Sequence, residues 1–262
     1  MHLSGDAAGV GYRFAGGQPQ LEAAAEGYEA PVGSRRAAAQ ALSAASGGTP
    51  VVLLERPGIH GSSGDHARDR HTSAEVELVD AALAELRRRY GFQAFVLSGF
   101  SSGGAVAANL LARRSDIACA VIASAPLDLA AFYRGADGTM PDHYVMRAEA
   151  LADPMRTVAA IRPGAAIVVL GDRRDRKVPA AAWEAWVQAA RRAGLRVSAA
   201  EVSGADPSEP AGAASFHQTA AIAVETALAC AAGEAAPGRS SLADAAGTVA
   251  SSAGASQPRR ID

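Results

Sequence analysis

The sequence is short of net charge, aromatic residues, cysteine and long apolar runs. Its 25 lysines and arginines nearly balance 27 aspartates and glutamates, for a net charge of −2, so no global field favours nucleic acid or an anionic membrane as a partner. No apolar run approaches the roughly 18 residues of a membrane helix, and the first residues lack the basic stretch and apolar core of a signal peptide. Aromatic residues make up 5 % of the chain and hydrophobic residues 49 %, which predicts a globular core built from Ala, Val and Leu.

Cysteine is also scarce, with Cys119 in a predicted strand and Cys230 in a predicted helix. Two cysteines are too few for a disulfide framework and cannot form a zinc site by themselves. The sequence therefore predicts reduced thiols and a cytoplasmic protein. It gives no indication of an oligomeric state.

What the chain does contain is an alternation of short apolar runs with segments of helical periodicity. Thr72 and Glu75 form a capping-box signal, and Gly91 is placed to end the helix that follows. Such alternation predicts an α/β fold, with a mostly parallel sheet covered by helices on both faces. The predicted strands cover 51–54, 95–97, 118–123, 166–170 and 196–202, and the predicted helices cover 72–90, 102–114, 180–193 and 217–232.

Domain organisation follows from composition. Residues 1–232 are predicted to form one domain, within which 127–153 is either a small lid over a pocket or a plain surface excursion. Gly, Ala, Ser and Pro dominate 233–262. That segment has too little apolar surface to offset its ordering entropy and is predicted to be a disordered tail.

The clearest chemical signal is the stretch Gly99-Phe100-Ser101-Ser102-Gly103-Gly104, between a predicted strand and a predicted helix. It matches G-x-S-x-G, in which a serine nucleophile stands on a strained turn, and side chains at Gly99 or Gly103 would collide with neighbouring elements. The N–H of Ser102 would lie at a helix N-terminus, where partial positive charge can hold an oxyanion. The alternative is a Gly/Ser-rich loop without chemistry.

A serine hydroxyl needs a base to take its proton, and in nucleophile-elbow enzymes the chain order is Ser, acid, His. His217 follows the last predicted strand, so it is the candidate base; the alternative is a surface helix-cap histidine. His143 lies in a segment rich in Gly, Asp and Pro and is expected at the surface or on a substrate rim. Asp172 and Asp175 follow the strand 166–170, and Asp128 follows the strand before it.

These stretches resemble the α/β-hydrolase superfamily, and in detail its small single-domain, prolyl-oligopeptidase-like (peptidase S9-like) serine hydrolases. Three stretches carry the resemblance: 56–64 after the strand 51–54, the elbow 99–104, and 171–179, which is similar to the family's G-x-x-D-x-x-V-P acid loop. The third stretch places the acid on Asp175 in preference to Asp172. Together with His217, the similarity spans about residues 50–232.

The resemblance implies a three-layer sandwich with a Ser101–His217–Asp175 catalytic triad. It implies cleavage of an ester or amide bond in a small ester or peptide-like substrate through an acyl-enzyme, with no cofactor. Two alternatives stay open. One is a non-catalytic relative that keeps the scaffold for binding, and the other is an acyltransferase on the same triad.

The N-terminus departs from the family pattern. The family's third strand ends in His-Gly, and Ser4-Gly5 stands in that place here, so the N–H of Asp6 would be the second oxyanion donor. A carboxylate there is unfavourable unless its side chain turns away. No segment before Met1-His2-Leu3 is present to form the family's first two strands, which leaves the edge of the strand 51–54 uncovered and predicts a truncated start, a misassigned initiator methionine or a pairing partner.

Three histidines, His60, His66 and His71, cluster near Asp65 and Asp69. A metal site is conceivable, but the spacing fits no helical or finger pattern. The favoured interpretation is a solvated loop over the site, without a metal.

Overall fold

The computed structural model describes residues 1–6, 11–15, 18–22, 32–60, 62–134, 138–140, 149–205 and 214–233. Residue 143 and all of the predicted tail except Gly233 lie outside these ranges. The strands are β1 (His2–Leu3), β2 (Gly11–Ala15), β3 (Gln18–Glu22), β4 (Leu53–Leu54), β5 (Phe95–Phe100), β6 (Ile117–Ala123), β7 (Ala166–Gly171) and β8 (Val197–Glu201). The helices are α1 (Val32–Ala45), α2 (His66–Asp69), α3 (Ser73–Tyr90), α4 (Ser102–Arg113), α5 (Leu129–Tyr133), α6 (Pro154–Thr157), α7 (Ala181–Arg192) and α8 (Ala220–Ala231), with a 3₁₀ turn at Val158–Ala160.

Within the described residues, six strands form one sheet in the order β4-β1-β5-β6-β7-β8, and every neighbouring pair is parallel. The short strand β1 is inserted between β4 and β5, with His2 opposite both Leu53 and Ser98. Strands β2 and β3 form a separate antiparallel hairpin. In the described part of the chain, the outer edge of β4 pairs with no strand.

The apolar runs of β5 and β6 reflect burial on both faces of the sheet. Helix α4 packs against one face, and α8 packs against the other. Leu97, Ile122 and Leu170 are fully buried between these layers. A strand covered on both sides has no polar face, which is why these segments show continuous hydrophobicity instead of alternation.

Helix boundaries follow the local signals in α3 and differ from them in α8. Thr72 caps α3 by accepting from the N–H of Glu75, and Gly91 ends it with φ +71°. The expected helix 217–232 begins instead at Ala220, because the backbone of 216–218 is bound elsewhere: the N–H of Gln218 donates to Gly204 O at 2.9 Å. His217 therefore lies in the loop before α8. Of the helices in the described ranges, none is long and apolar enough to cross a bilayer.

The expectation of reduced thiols is wrong. Cys119 on β6 and Cys230 in the last turn of α8 form a disulfide, with Cα atoms 6.6 Å apart. The two residues are 111 positions apart in sequence, and only the packing of α8 on the sheet brings them together. Disulfides are rare in the reducing cytosol, so the bond gives no support to a cytoplasmic location.

Removing this disulfide is expected to lower the free energy of unfolding by about 3–5 kcal/mol, because it closes a long loop in the unfolded chain. The comparison is urea unfolding of the wild type and the Cys119→Ala/Cys230→Ala variant, each with and without dithiothreitol. Reductant is expected to lower the wild-type midpoint and to leave the variant unchanged. Two titratable thiols in the denatured, unreduced wild type would contradict the assignment.

Candidate active site

Ser101 stands on a sharp turn between β5 and α4. Its backbone has φ +53° and ψ −128°, a conformation that residues with a side chain rarely adopt and that concentrates at functional sites. The flanking glycines allow this turn. A Cβ on Gly99 would lie 2.7 Å from Gly103 O, and one on Gly103 would collide with the carbonyl oxygens of Leu3 and Ser4. The turn leaves Ser101 half-buried, so its hydroxyl lies within reach of solvent.

The loop after β1 runs directly beside this serine. A Cβ added to Gly5 would lie 2.9 Å from Ser101 Cβ and 2.9 Å from Phe100 Cδ1, so Gly5 permits the close approach. Ser102 is the first residue of α4, and N–H groups in a first helical turn have no acceptor within the helix. The loop of Asp6 and the start of α4 therefore both border Ser101.

The acid loop brings Asp175 against His217. Asp175 Oδ2 lies 2.7 Å from His217 Nδ1, and its Oδ1 accepts the N–H groups of Lys177 and Val178 at 2.8 and 2.9 Å. Both side chains are buried. A carboxylate can only accept here, so the proton of this hydrogen bond is on His217 Nδ1.

The other two aspartates are engaged elsewhere. Asp172 pairs with Arg174 at 2.7 Å and accepts the N–H of Gly204 at 2.9 Å. Burial opposes ionisation of Asp172, but Arg174 and these hydrogen bonds together hold its pKa below the usual value. Asp128 caps α5 by accepting from Ala131 N at 2.9 Å.

The structure brings the side chain of His217 close to the turn that carries Ser101. Within the described residues, the two side chains are not hydrogen-bonded to each other. The ring of Phe100, next to Ser101, lies 4.9 Å from the His217 ring. Phe216 has φ +52°, and the Arg174 guanidinium lies 4.2 Å from its ring. Among the hydrogen bonds of the described residues, none joins Ser101 Oγ to His217.

Comparison with known proteins shows which folds this architecture is similar to. No family model matches the chain, and no curated protein matches it. Among solved structures, the Pyrococcus furiosus esterase Pf2001 superposes with a TM-score of 0.50 at 17 % identity, over 67 % of this chain and 69 % of the esterase. An acylaminoacyl peptidase superposes with a TM-score of 0.50 at 12 % identity, over 76 % of this chain. The chain has an α/β-hydrolase fold.

The likeness extends to part of these proteins. The chain spans 31 % of the acylaminoacyl peptidase and, in another structure of the esterase, 61 % of that enzyme. At these identities the comparison shows the fold alone. Strand β1 ends at Leu3, directly before Ser4-Gly5, and pairs with β5, the strand that leads to the elbow.

The segment that carries His60, His66 and His71 is not the solvated loop that the sequence predicted. His66, Asp69 and His71 are all buried, because α2 folds the loop back against the start of α4. His71 Nε2 lies 2.7 Å from Ser102 Oγ, and His71 Nδ1 lies 2.8 Å from Tyr133 Oη. Among the described residues, no group of three or more His, Cys, Asp or Glu side chains is placed to hold a metal ion.

The carboxylate of Asp6 is held by cationic side chains from the segment between β4 and α3. Its oxygens lie 2.5 Å from Arg56 Nη2, 2.6 Å from Arg70 Nε and 3.3 Å from His66 Nε2. Burial alone would raise the pKa of Asp6, but Arg70 and Arg56 outweigh it and hold the pKa well below the usual range. No spacing in the sequence indicated this cluster, since Asp6 follows β1 whereas its partners lie far along the sequence, between β4 and α3.

The candidate lid is described in part. Asp128 begins α5, and Tyr133 at the end of that helix reaches His71. Residues 135–137 and 141–148 lie outside the described residues. The described part, with Leu129 and Leu151 in a small apolar cluster, packs next to the site.

Proposed function

We propose that this protein is a serine hydrolase that cleaves an ester or amide bond through Ser101, His217 and Asp175. The observation that carries the proposal is the buried Asp175–His217 hydrogen bond beside a strained serine on a nucleophile elbow. The fold supports it, because the esterase and the peptidase with which the chain superposes carry that chemistry in their names. Small ester or peptide-like molecules are the proposed substrates.

The proposed mechanism uses one base for every proton transfer. His217 Nε2 takes the proton of Ser101 Oγ as that oxygen attacks the substrate carbonyl carbon. The resulting oxyanion is held by the N–H groups of Ser102 and Asp6. His217 then gives the proton to the leaving group as its bond to the carbonyl carbon breaks, which leaves an acyl-enzyme. Water, deprotonated by His217, attacks the acyl carbon, and Ser101 leaves with the proton restored.

Asp175 has a separate part in this proposal. Its carboxylate fixes the tautomer of His217, with the proton on Nδ1, and stabilises the imidazolium that forms when Nε2 is protonated. The two backbone N–H groups that bind Asp175 Oδ1 hold the carboxylate in place.

A binding protein that keeps the scaffold is the second candidate. One observation favours it: within the described residues, Ser101 Oγ makes no hydrogen bond to His217. Catalytic hydrogen bonds are often long before substrate binds, so this observation does not displace the first candidate, and reactivity decides between the two.

Labelling with a fluorophosphonate probe tests the proposal, because the probe reacts with serine only where a base and an oxyanion site activate it. The wild type is expected to label, while Ser101→Ala and His217→Ala are not. Ser115→Ala removes an exposed hydroxyl and serves as the matched control that labels normally. Absence of labelling in a folded wild type, verified by circular dichroism, would leave the binding protein as the remaining candidate.

A further inference from the structure

A chain of hydrogen bonds connects helix α5 to the loop of Asp6 through the residue that follows Ser101. Tyr133 Oη lies 2.8 Å from His71 Nδ1, and His71 Nε2 lies 2.7 Å from Ser102 Oγ. Ser102 Oγ donates to Asp6 Oδ2 at 3.0 Å. His71 and Ser102 are both buried, so water does not compete for these positions.

Only one assignment of donors and acceptors fits this series of hydrogen bonds. Asp6 is ionised, and a carboxylate only accepts, so the Ser102 hydroxyl spends its one proton on Asp6. Ser102 Oγ must then accept from His71 Nε2–H. Burial, reinforced by Arg70, holds the pKa of His71 well below its usual value, so the neutral ring leaves Nδ1 to accept from the Tyr133 hydroxyl.

The Asp6 end of this series of hydrogen bonds is bound to a fully buried arginine. Arg56 binds Asp6 Oδ1 through Nη2 at 2.5 Å and Ser4 O through Nε at 3.0 Å. Its remaining Nη1 binds Glu75 at 2.6 Å. The loop Ser4–Asp6 is thus held from the arginine side, and the Ser102 side chain is held from the histidine side.

We propose that His71 is a positioning residue for the oxyanion site, acting through the Ser102 hydroxyl to hold the backbone N–H groups of Ser102 and Asp6 in register. The inference rests on the proposed function, in which those two groups bind the oxyanion. It also gives the second serine of the elbow a role. The Ser102 hydroxyl is a fixed link between two loops and does not compete with Ser101 as a nucleophile.

The test compares two substitutions at one position. His71→Leu removes both hydrogen bonds, whereas the amide of His71→Gln can still donate to Ser102 Oγ. Both replace a residue with φ +57°, so the backbone strain is matched. With p-nitrophenyl acetate as the substrate, His71→Leu is expected to lower kcat about 10²-fold with KM little changed, since a displaced oxyanion donor loses transition-state binding. His71→Gln is expected to recover most of that loss.

A milder variant keeps the test decisive if His71→Leu does not fold. Tyr133→Phe removes the hydroxyl at the start of the chain and is expected to lower kcat about fivefold, the effect of one neutral hydrogen bond. Tyr90→Phe is the matched control, because Tyr90 is exposed on α3, and its kcat is expected to equal that of the wild type.

Nitrogen-15 NMR of the His71 imidazole reports which ring nitrogen carries the proton, and a merely structural role of His71 would not require one particular tautomer. The wild type is expected to show His71 neutral, with the proton on Nε2, and Tyr133→Phe is expected to shift the Nδ1 resonance. A wild type that hydrolyses the ester while His71→Leu and Tyr133→Phe keep kcat within twofold would overturn the positioning role alone. A proton on Nδ1 would also overturn it.

A wild type that neither hydrolyses the ester nor labels with the probe overturns the proposed function, and the positioning role fails with it.

Discussion

Replacing Asp175 with asparagine is expected to lower kcat about 10⁴-fold with little change in fold. The carboxylate accepts from His217 Nδ1 at 2.7 Å. An asparagine amide nitrogen at that position would donate instead, which places the imidazole proton on Nε2. In the proposed mechanism Nε2 has to take the serine proton, and a nitrogen that already carries a proton cannot do so.

Two other aspartates provide matched controls for this prediction. Asp128→Asn keeps an N-cap residue of good propensity on α5 and is expected to retain full kcat. Asp172→Asn loses its pair with Arg174 and is expected to affect stability more than kcat. Steady-state hydrolysis of p-nitrophenyl acetate, per folded protein, measures all three. If Asp172→Asn or Asp128→Asn loses as much kcat as Asp175→Asn, the acid is misassigned.

The elements that the sequence predicted well are those fixed by local rules. Buried parallel strands appear as continuous apolar runs, and Gly99 is required by steric exclusion against Gly103 and Gly104 within the elbow itself. The assignment of the N-terminal residues to the end of a strand followed from the family resemblance rather than from the residues themselves, because a two-residue strand carries no periodicity.

The features that the sequence missed depend on contacts between distant segments. Cys119 and Cys230 meet only after α8 packs on the sheet. The burial of His71 depends on contacts with Tyr133 at the end of α5 and Ser102 at the start of α4. The hairpin of β2 and β3 and the Ala-rich helix α1 show little amphipathic patterning, so the sequence offered no signal for them.

Replacing Arg56 with leucine is expected to lower the free energy of unfolding by about 3–5 kcal/mol, because it leaves the buried Glu75 carboxylate without its cation. Arg56 has no exposed surface, and its partner Glu75 is 1 % exposed. Asp6 also loses this partner but keeps Arg70 at 2.6 Å, so Glu75 is the carboxylate left without a cation. Urea unfolding followed by circular dichroism measures the change, and an unchanged m-value would show that the native state is intact.

Two further variants test whether the stability lost with Arg56 comes from a buried charge cluster or is what any ion pair contributes. Arg88→Leu breaks the exposed pair with Glu85 on α3 and is expected to move the urea midpoint little, since exposed pairs contribute little stability. Removing Glu75 as well, in Arg56→Leu/Glu75→Leu, is expected to recover part of the loss, because one stranded carboxylate is gone. Recovery would be incomplete, since Asp6 and the Ser4 carbonyl still lack their partner. A midpoint for Arg56→Leu equal to that of Arg88→Leu would mean that Arg56 does not stabilise the loop Ser4–Asp6.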